Sequence, residues 1–431
     1  MHKKVVLAFS GGLDTSFCLV YLQEKFGYEV ITVTVDTGGF DEEALAEIET
    51  RAAELGSVRH VTFDATDAVY QDHISYLIKG NIRRGGVYPL CVGAERVVQA
   101  KVVAALARQM GATAIAHGST GAGNDQIRFD VALRALCPDL EIITPVRDEE
   151  WSRDDSAAYL TERGIAVSTE TRVYSVNEGL WGVTIGGKET HDSWQVPPDE
   201  AYAWTVPLEK APEQAQTITL TFEKGQPVAL DGKEMGGVEL VRALNALGAS
   251  HGVGRGMHLG DTILGIKGRI AFEAPAAAIL LEAHRELEKL VLTRWQSHWK
   301  EQLSSFYGML LHEAQYFDPV MRDLEAFIDS SQETVTGEVK IKLHKGNLSV
   351  AGSRSPFSMM NAAAGTYGER NALWSAAEAR GFCTIFGTQS LLAMQARQGA
   401  AAKALGEVAA GLVDIQKGAE AISPALSTAV N

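Results

Sequence analysis

A strand-like apolar run that leads directly into paired glycines and a helix start constrains the fold of this chain more than any other feature. Residues 5–16 have the sequence VVLAFSGGLDTS, with Ser-Gly-Gly at 10–12. Such an apolar run is typical of a buried parallel strand, and the glycines let backbone N–H groups approach an anion without interference from a Cβ. A helix that begins near Asp14 would direct its positive end to the same place. The pattern predicts a pyrophosphate-binding loop.

The spacing of this loop separates it from two common nucleotide-binding motifs. It lacks the Gly-x-x-x-x-Gly-Lys-Ser/Thr of a Walker loop and the Gly-x-Gly-x-x-Gly of a dinucleotide-binding fold. The segment SGGLDTS is instead similar to the loop of the PP-loop ATP pyrophosphatases, a class whose members split ATP into AMP and pyrophosphate.

Composition and charge limit the class of protein. The chain has 431 residues, 46% hydrophobic and 22% charged, which is typical of a globular protein with two or three folding units. Its formal net charge of −15 argues against broad contact with nucleic acid, because phosphate backbones are bound mainly by clustered lysine and arginine. No apolar run approaches the roughly 18–20 residues that span a bilayer, and the first strand takes the place of a secretory signal. We therefore expect a cytoplasmic protein without membrane contact.

The cysteines predict neither a metal centre nor a disulfide framework. Cys18, Cys91, Cys137 and Cys383 lie far apart, and none belongs to a Cys-x-x-Cys motif. We expect them to be reduced and either buried or inert, and we expect no metal site built by the protein alone.

The first third of the chain alternates apolar strands with helical segments, the pattern of a parallel α/β sheet covered on both faces. Helical spacing over residues 95–110 stops at Gly111, a residue type common after helix ends. Ligands of such sheets bind beyond the carboxyl ends of the strands, so the loops after Phe9, Val35 and Ala116 should converge. The predicted strands are residues 5–9, 30–35, 60–63, 113–116 and 141–144.

The loop after the fourth predicted strand is dense in glycine and polar side chains. Residues 117–130 have the sequence HGSTGAGNDQIRFD. Asp125 is suited to an ammonium group, whereas Thr120 and Asn124 can donate to a carboxylate. The planar fork of Arg128 is suited to a carboxylate or phosphate. The pattern predicts a site for an amino acid, and the alternative is a capped surface loop before a helix.

Together, SGGLDTS and HGSTGAGNDQIRF resemble the argininosuccinate synthase family, and the resemblance extends to about Gln398. It implies a mixed α/β fold: an N-terminal parallel sheet of the PP-loop, adenine nucleotide alpha hydrolase-like type, then an α+β synthetase domain and a C-terminal oligomerisation helix. The implied domains are residues 1–169 for ATP binding, 170–365 for synthesis and multimerisation, 366–398 for the C-terminal helix and 399–431 for an alanine-rich tail.

The resemblance also implies a reaction and a set of ligands. ATP would adenylate the ureido oxygen of citrulline, pyrophosphate would leave, and the amine of aspartate would displace AMP to give argininosuccinate. Magnesium is expected to bridge the phosphate oxygens. The family forms homotetramers, so we expect the same of this chain.

Residues are assigned to each ligand by matching the family motifs. ATP would be bound by Ala8, Phe9, Ser10, Gly11, Gly12, Leu13, Asp14, Thr15, Ser16, Val35, Asp36 and Gly118. Aspartate would be bound by Thr120, Asn124 and Asp125. Citrulline would be bound by Tyr88, Asn124, Arg128, Ser175 and Thr184. Asp14, Arg96 and Asp125 are the residues expected to act in catalysis.

Five residues have alternative roles. Arg96 either faces the phosphates or is a solvated helix charge. Asp14 either caps the first helix, which we prefer, or helps to place magnesium. Tyr88 is also suited to packing a turn, and Ser175, with a glutamate three residues later, matches a helix capping box. His117 invites a general-base role, but a lone histidine is more often a structural hydrogen bonder.

The chain departs from the family pattern around citrulline. Many members have a Thr-Ser pair where this chain has Val92 and Gly93. Glutamates of the family are replaced by Gly186 and Gly260, and a tyrosine is replaced by Phe272. Losing carboxylates and a phenol weakens recognition of an α-amino group, although Asp261 is a candidate substitute. Two further hypotheses follow: a ligase for a citrulline analogue with a blocked amine, and a non-catalytic nucleotide-binding homologue.

Two other enzyme classes would share the first loop. A PP-loop enzyme that modifies transfer RNA should have a basic surface and often paired cysteines, and this chain has neither feature. An ammonia-dependent ligase would have little use for an amino-acid loop over residues 120–128.

The rest of the chain predicts a supporting structure. Hairpins are predicted over residues 217–230 and 337–350, and helices over 237–247, 275–316 and from Ser375 onward. Beyond residue 398, a short amphipathic helix is predicted from the spacing of Leu405, Val408, Leu412, Val413 and Ile415.

Overall fold

The computed structural model describes residues 3–167, 174–360, 365–369, 373–397, 403, 405–406 and 408. They form two compact units, one within Met1–Met359 and one within Met360–Asn431. Among these described residues, no helix has both the length and the apolar character needed to cross a membrane.

A five-stranded parallel sheet forms the first part of the larger unit. Its strands are β1 (Lys4–Ala8), β2 (Glu29–Asp36), β3 (Arg59–Asp64), β4 (Ala114–Ala116) and β5 (Glu141–Ile143). All five predicted strands are confirmed, with ends that differ by at most one residue from the predicted bounds. Their order is β3-β2-β1-β4-β5, so the loops after the three middle strands open at one edge of the sheet.

Helices cover both faces of this sheet. Along β1, Val6 packs into a core cluster with Val97 and Val98, whereas Val5 and Leu7 pack into a second cluster on the opposite face. The helices are α1 (Leu13–Phe26), α2 (Glu42–Glu54), α3 (Thr66–Val69), α4 (Ser75–Lys79), α5 (Glu95–Met110), α6 (Asp125–Leu136), α7 (Pro145–Asp148) and α8 (Arg153–Thr161), with a π-helical turn at Tyr70–Ile74. The predicted bounds of α5 are confirmed, and it ends at Gly111 in the left-handed conformation, with φ 62°.

Two antiparallel sheets follow. Their strands are β6 (Ser175–Gly179), β7 (Gly182–Gly186), β8 (Gln216–Glu223), β9 (Gln226–Leu230), β10 (Lys233–Glu234), β11 (Arg255–Asp261), β12 (Lys267–Glu273), β13 (Gly337–His344) and β14 (Asn347–Arg354). The sheet orders are β11-β12-β7-β6 and β10-β9-β8-β13-β14. Both predicted hairpins are confirmed as β8–β9 and β13–β14. The helix-cap alternative for Ser175 is wrong, because this residue begins β6 and pairs with Gly186.

Four longer helices follow in the larger unit. The helix predicted over 237–247 is confirmed, the stretch predicted over 275–316 forms two helices, and the fourth helix was not predicted. The four helices are α9 (Gly237–Ser250), α10 (Pro275–Val291), α11 (Arg294–His312) and α12 (Val320–Ser331), with short 3-10 turns at Lys188–His191, Asp199–Ala201 and Leu208–Lys210. The start of α11 is fixed by a capping box between Thr293 and Gln296.

A charged pair is buried between α10 and α11. Lys300 is only 2% exposed, and its Nζ lies 2.9 Å from Oε2 of Glu288 and 2.8 Å from Oε1. Gln332 Nε2 donates to Glu288 Oε1 at 2.8 Å, and Asn81 Nδ2 donates to Oε2 at 2.6 Å. The carboxylate is therefore fully paired inside the fold.

Because of a buried histidine, we expect the free energy of unfolding to fall in acid. His73 lies in the π-helical turn, is 0% exposed, and neither ring nitrogen has a hydrogen-bond partner among the described residues. Burial lowers its pKa to about 3, whereas an unfolded histidine has a pKa near 6.5. The unfolded chain therefore takes up the proton first, and stability is lost as the pH falls below about 6.5.

The expected loss from His73 is about 2 kcal/mol at pH 5 relative to pH 8. Urea denaturation at both pH values measures it, and His73→Leu should be less sensitive to acid than the parent protein by that amount. An equal acid sensitivity in the two proteins would contradict the prediction.

The second unit contains the helices α13 (Ala376–Phe386) and α14 (Thr388–Ala396). The predicted helix start is confirmed, since Ser375 caps α13 in a capping box with Glu378. Of the tail helix, residues 403, 405–406 and 408 are helical, while the predicted positions Leu412, Val413 and Ile415 lie outside the described residues.

Candidate active site

The predicted phosphate loop lies between β1 and α1. Gly11 has φ +72°, in the left-handed region that glycine adopts without strain. The Ser10 and Thr15 hydroxyls lie 3.3 Å apart, and Thr15 Oγ1 donates to the Gly12 carbonyl at 3.3 Å. Hydrogen bonds within the loop therefore hold it at the N-terminus of a 14-residue helix, where free backbone N–H groups attract anions.

The preferred role of Asp14 as a helix cap is wrong. Gly12 occupies the cap position, and Asp14 lies inside the first turn of α1 without a side-chain cap bond. Its Oδ1 is buried and has no hydrogen-bond partner among the described residues. Burial raises the pKa of Asp14, and Arg153 partly offsets the shift. The side chain is therefore a partly buried carboxyl beside the phosphate loop.

The other predicted nucleotide residues lie at the same sheet edge. Val35 and Asp36 end β2, and the Asp36 carboxylate accepts the Gly38 N–H at 2.8 Å. Gly118 follows β4, and a Cβ added there would lie 3.2 Å from the carbonyl carbon of Asp14 and 3.3 Å from the Thr15 nitrogen. The turn after β4 therefore packs directly on the backbone that begins α1.

Gly118→Ala should weaken ATP binding about 10-fold, because the new methyl group would push on the backbone that presents the N–H donors of α1. Calorimetric titration with Mg-ATP measures the effect. Gly123→Ala is the matched control, since a Cβ at Gly123 meets nothing within 4 Å in the same loop region. Equal ATP affinities in the two variants would contradict the prediction.

Arg96, Asp125 and Arg128 form an ion cluster at the start of α5 and α6. The Nε of Arg96 donates to Asp125 Oδ2 at 2.9 Å, and Nη1 of Arg128 donates to Asp125 Oδ1 at 2.9 Å. Nη2 of Arg96 also donates to Asn177 on β6 at 3.0 Å. Burial disfavours the charged form of Asp125, yet the two guanidiniums lower its pKa to about 2.

The contacts of this ion cluster exclude one of the two roles considered for Arg96. Arg96 is not a solvated helix charge, because its side chain is only 12% exposed and its donors are engaged. Asp125 keeps 34% of its side chain exposed, so it remains open to a ligand. Asn124 Oδ1 accepts the Ile263 N–H at 2.9 Å, and Thr120 is exposed nearby in the chain.

Tyr88 is buried at 5% exposure in a small aromatic group. Its ring stacks on His258 with a centroid distance of 5.4 Å, and it contacts Phe272 at 5.4 Å. The backbone of Tyr88 is bridged to Arg84, which matches the turn-packing alternative. Burial raises the pKa of the Tyr88 phenol.

Thr184 connects the aromatic group to the ion cluster. It lies on β7, 6% exposed, between Asn177 of β6 and Phe272 of β12. Ser175 lies two residues before Asn177, at the exposed start of β6. The predicted citrulline residues therefore lie on adjoining elements of the larger unit.

The positions that depart from the family pattern have different surroundings. A Cβ at Gly186 would meet nothing within 4 Å, and one at Gly93 would lie 3.6 Å from Arg128 Nη2. At Gly260, by contrast, a Cβ would lie 2.6 Å from His258 Nε2, so the imidazole occupies that space. The carboxylate of Asp261 pairs with Lys267 at 2.6 Å.

His117 has a structural environment. Its Nε2 lies 2.9 Å from Asp130 Oδ1, and its ring stacks on Phe129. Arg147 holds the other Asp130 oxygen at 3.0 Å. The interpretation as a structural hydrogen bonder agrees with these contacts.

Sequence reasoning missed several residues of the site, including Glu95. Glu95 is 1% exposed, its Oε1 has no hydrogen-bond partner among the described residues, and burial raises its pKa to about 8. A Cβ at Gly179 would lie 1.6 Å from that oxygen, so a glycine is required there. Glu95 lies in a helix that also carries Arg96, Gln99 and Lys101, so no local pattern in the sequence distinguishes it. The other missed residues are Arg84, Asn177, His258 and His312.

Burial is confirmed for three of the four cysteines. Cys18, Cys91 and Cys137 are buried and Cys383 is exposed, and all four are free thiols.

The parallel sheet and its glycine loop define a nucleotide-binding protein of the HUP class. A family model described as the arginosuccinate synthase N-terminal HUP domain matches residues 4–166, and the model of the arginosuccinate synthase C-terminal domain matches residues 174–393. The chain belongs to the argininosuccinate synthase family. The predicted fold class, a parallel α/β sheet followed by antiparallel sheets and a C-terminal helix, is confirmed.

Relatives named argininosuccinate synthase match most of the chain. The Xanthomonas campestris protein is 44% identical over 397 residues, covering 91% of this chain and 98% of its own length. The Methanocaldococcus jannaschii protein is 44% identical over 360 residues, covering 83% and 90%. The Pyrococcus furiosus protein is 41% identical over 390 residues, covering 90% and 94%. These matches favour the synthase over the alternative functions, and membership of the family implies the use of ATP.

Proposed function

We propose that this chain is an argininosuccinate synthase, a ligase that forms a C–N bond between citrulline and aspartate in arginine biosynthesis. The observation that carries the proposal is the meeting of the phosphate loop, the end of β2 and the Gly118 turn at one sheet edge, within a chain whose two parts match both family models. Citrulline attacks the α-phosphorus of ATP through its ureido oxygen, and pyrophosphate leaves. The aspartate amine then attacks the activated carbon and AMP leaves.

The ATP phosphates bind to the loop from Ala8 to Ser16. Gly11 and Gly12 expose backbone N–H groups, and the N-terminus of α1 adds its positive end. Val35 and Asp36 contact the adenosine, and Gly118 contacts the nucleotide from the turn after β4. These roles are the ones that the family motifs assign, and the residues concerned lie at the same edge of the parallel sheet.

Magnesium is compatible with the residues around the loop. The Asp14 Oδ1 atom is buried without a partner among the described residues, and magnesium is commonly held by one or two carboxylates together with phosphate oxygens. Asp14 is the residue that would hold it. When bound, magnesium offsets the negative charge that develops on departing pyrophosphate.

The aspartate substrate binds at Thr120, Asn124 and Asp125. Asp125 is ionised at neutral pH because two guanidiniums favour its charged form, and it is partly exposed. A carboxylate of this kind attracts and orients an ammonium group. With a pKa of about 2, Asp125 is a weak base, so its part in catalysis is to orient the amine rather than to take its proton.

Citrulline binds between Tyr88, Arg128, Ser175 and Thr184, with Asn124 shared by both amino acids. Neither step needs a nucleophile from the protein, since both attacking atoms belong to the substrates. Arg96 and Arg128 contribute by holding Asp125 in place. Catalysis therefore depends on orientation and on charge arranged before the reaction begins.

We further propose a cytoplasmic homotetramer that binds small-molecule substrates without nucleic acid or membrane. Four free thiols fit a reducing compartment. In α13, Phe382, Ile385 and Phe386 are 62%, 77% and 70% exposed and lie close together in the helix, and a contiguous exposed apolar patch is typical of a contact with another chain. We assign ATP binding to residues 1–169, synthesis and multimerisation to 170–365 and subunit contact through the C-terminal helix to 366–398, followed by the alanine-rich tail 399–431.

The test is pyrophosphate release from Mg-ATP with citrulline and aspartate supplied separately and together. We expect argininosuccinate and AMP to form in equal amounts only when all three substrates are present. Purified protein that binds ATP but releases no pyrophosphate under any of these conditions would overturn the proposal.

A further inference from the structure

His258 lies in a slot that the backbone leaves open for it. The side chain is on β11, 8% exposed, with its ring stacked on Tyr88 at an interplanar angle of 19°. A Cβ at Gly85 would lie 3.1 Å from the ring, and a Cβ at Gly260 would lie 2.6 Å from Nε2. Larger residues at these two positions would displace the imidazole, so the two glycines leave room for the ring where it stacks on Tyr88.

The Nε2 atom of His258 lacks a partner. It is buried and makes no hydrogen bond to any residue that the structure describes. Leaving a buried polar atom unpaired costs about 1–3 kcal/mol. Because the ring also contacts Tyr88, a predicted citrulline residue, a substrate group is a suitable partner for this atom.

The surroundings of His258 are rich in cationic donors. Burial lowers the pKa of Arg84, Glu313 opposes that shift, and Arg128 adds to it. Burial and Arg84 lower the pKa of His258 itself. His312 lies 3.1 Å from Arg128 Nη2 through Nδ1, and its own Nε2 also has no partner in the described part of the chain.

The carboxylates near His258 do not cancel the positive charge of Arg84 and Arg128. Asp125 is held by two arginines, and Asp261 is paired with Lys267, although its backbone oxygen accepts from Arg84. Glu313 is the remaining carboxylate that acts on Arg84. An ammonium group would be repelled by two guanidiniums here, whereas a carboxylate would be attracted.

We propose that His258 is a specificity-determining residue that donates a hydrogen bond from Nε2 to the α-carboxylate of citrulline, in a pocket whose positive charge comes from Arg84 and Arg128. This inference rests on the proposed function. It gives the site a basis for choosing a free carboxylate that requires no side chain at positions 93, 186 and 260.

Citrulline and citrullinamide, in which a neutral carboxamide replaces the carboxylate, provide the test. We expect His258→Leu to raise the Kd for citrulline about 10-fold or more, because a hydrogen bond to a charged group is lost. The Kd for citrullinamide should change less than about threefold. His258→Gln keeps a donor and should remain within about threefold of the parent protein for both ligands. Calorimetric titration measures all of these constants, with turnover measured in parallel.

Two controls separate this role from a structural one. His344→Leu replaces an exposed histidine on β13 and should leave citrulline binding unchanged. If His258→Leu weakens both ligands equally, the ring only supports Tyr88 and the proposal is overturned, as it is if neither ligand is affected. Citrulline binding that depends on His258 without any argininosuccinate formation would support this proposal while the proposed function fails. Parent protein that binds no citrulline would overturn both.

Discussion

Arg96→Met is expected to lower kcat/KM for aspartate by about 10³-fold while leaving the Kd for ATP within about threefold. The guanidinium of Arg96 is committed to Asp125, Gln99 and Asn177, at 2.9, 3.1 and 3.0 Å. Removing one partner of a buried charge pair costs about 3–5 kcal/mol, which corresponds to roughly 10²–10⁴-fold in a rate. Steady-state kinetics with aspartate varied, together with ATP titration, measures both quantities.

Two further variants test whether the loss of kcat/KM comes from the contacts of the Arg96 guanidinium. Arg108→Met removes an exposed arginine of the same helix, paired with Asp139, and should change kcat/KM less than twofold. Arg96→Lys keeps the charge but loses the planar fork, so an intermediate loss is expected. If ATP affinity falls as much as kcat/KM in Arg96→Met, the arginine contacts the phosphates and its role beside Asp125 is secondary.

Lys300→Met is expected to lower the free energy of unfolding by about 3–5 kcal/mol. The substitution leaves the Glu288 carboxylate buried without its cation, and the hydrogen bonds from Gln332 and Asn81 do not replace the lost charge. Urea denaturation followed by circular dichroism measures the change.

The double variant Lys300→Met with Glu288→Gln tests whether charge is the cause. Removing both charges should restore a large part of the lost stability, because no unpaired ion then remains inside the fold. A double variant as unstable as Lys300→Met alone would show that packing around the lysine stem is what matters.

Much of the fold could be predicted from the sequence, because local patterns decide it. The strand at Val5, the helix that stops at Gly111 and the hairpin at Lys345 each carry a periodicity and a turn signal within a few residues. Chain order and the rule for parallel sheets then place the ligand edge. Family resemblance supplied the identities of the substrates, which periodicity alone does not contain.

The rest of the site depends on contacts between residues far apart in the chain. Arg96 meets Asn177 across 81 residues, and His258 is held by Tyr88 across 170. Nothing local to Glu95 or His312 marks them, since their burial follows from how sheets and helices pack. The residue type of Asp14 favours a helix cap, but the helix cap is Gly12, two residues earlier. Distant packing and the exact start of a helix are the features that local patterns do not determine.

The bonds from Arg96 to Asn177 and from Asn124 to the Ile263 backbone join parts of the chain that match two separate family models. The phosphate loop, by contrast, is complete within the first of them. During folding, nucleotide affinity can therefore appear as soon as the N-terminal sheet forms, whereas ligase activity must wait until the second part has docked. A refolding experiment should record these as two separate recoveries, and the interval between them is the docking time.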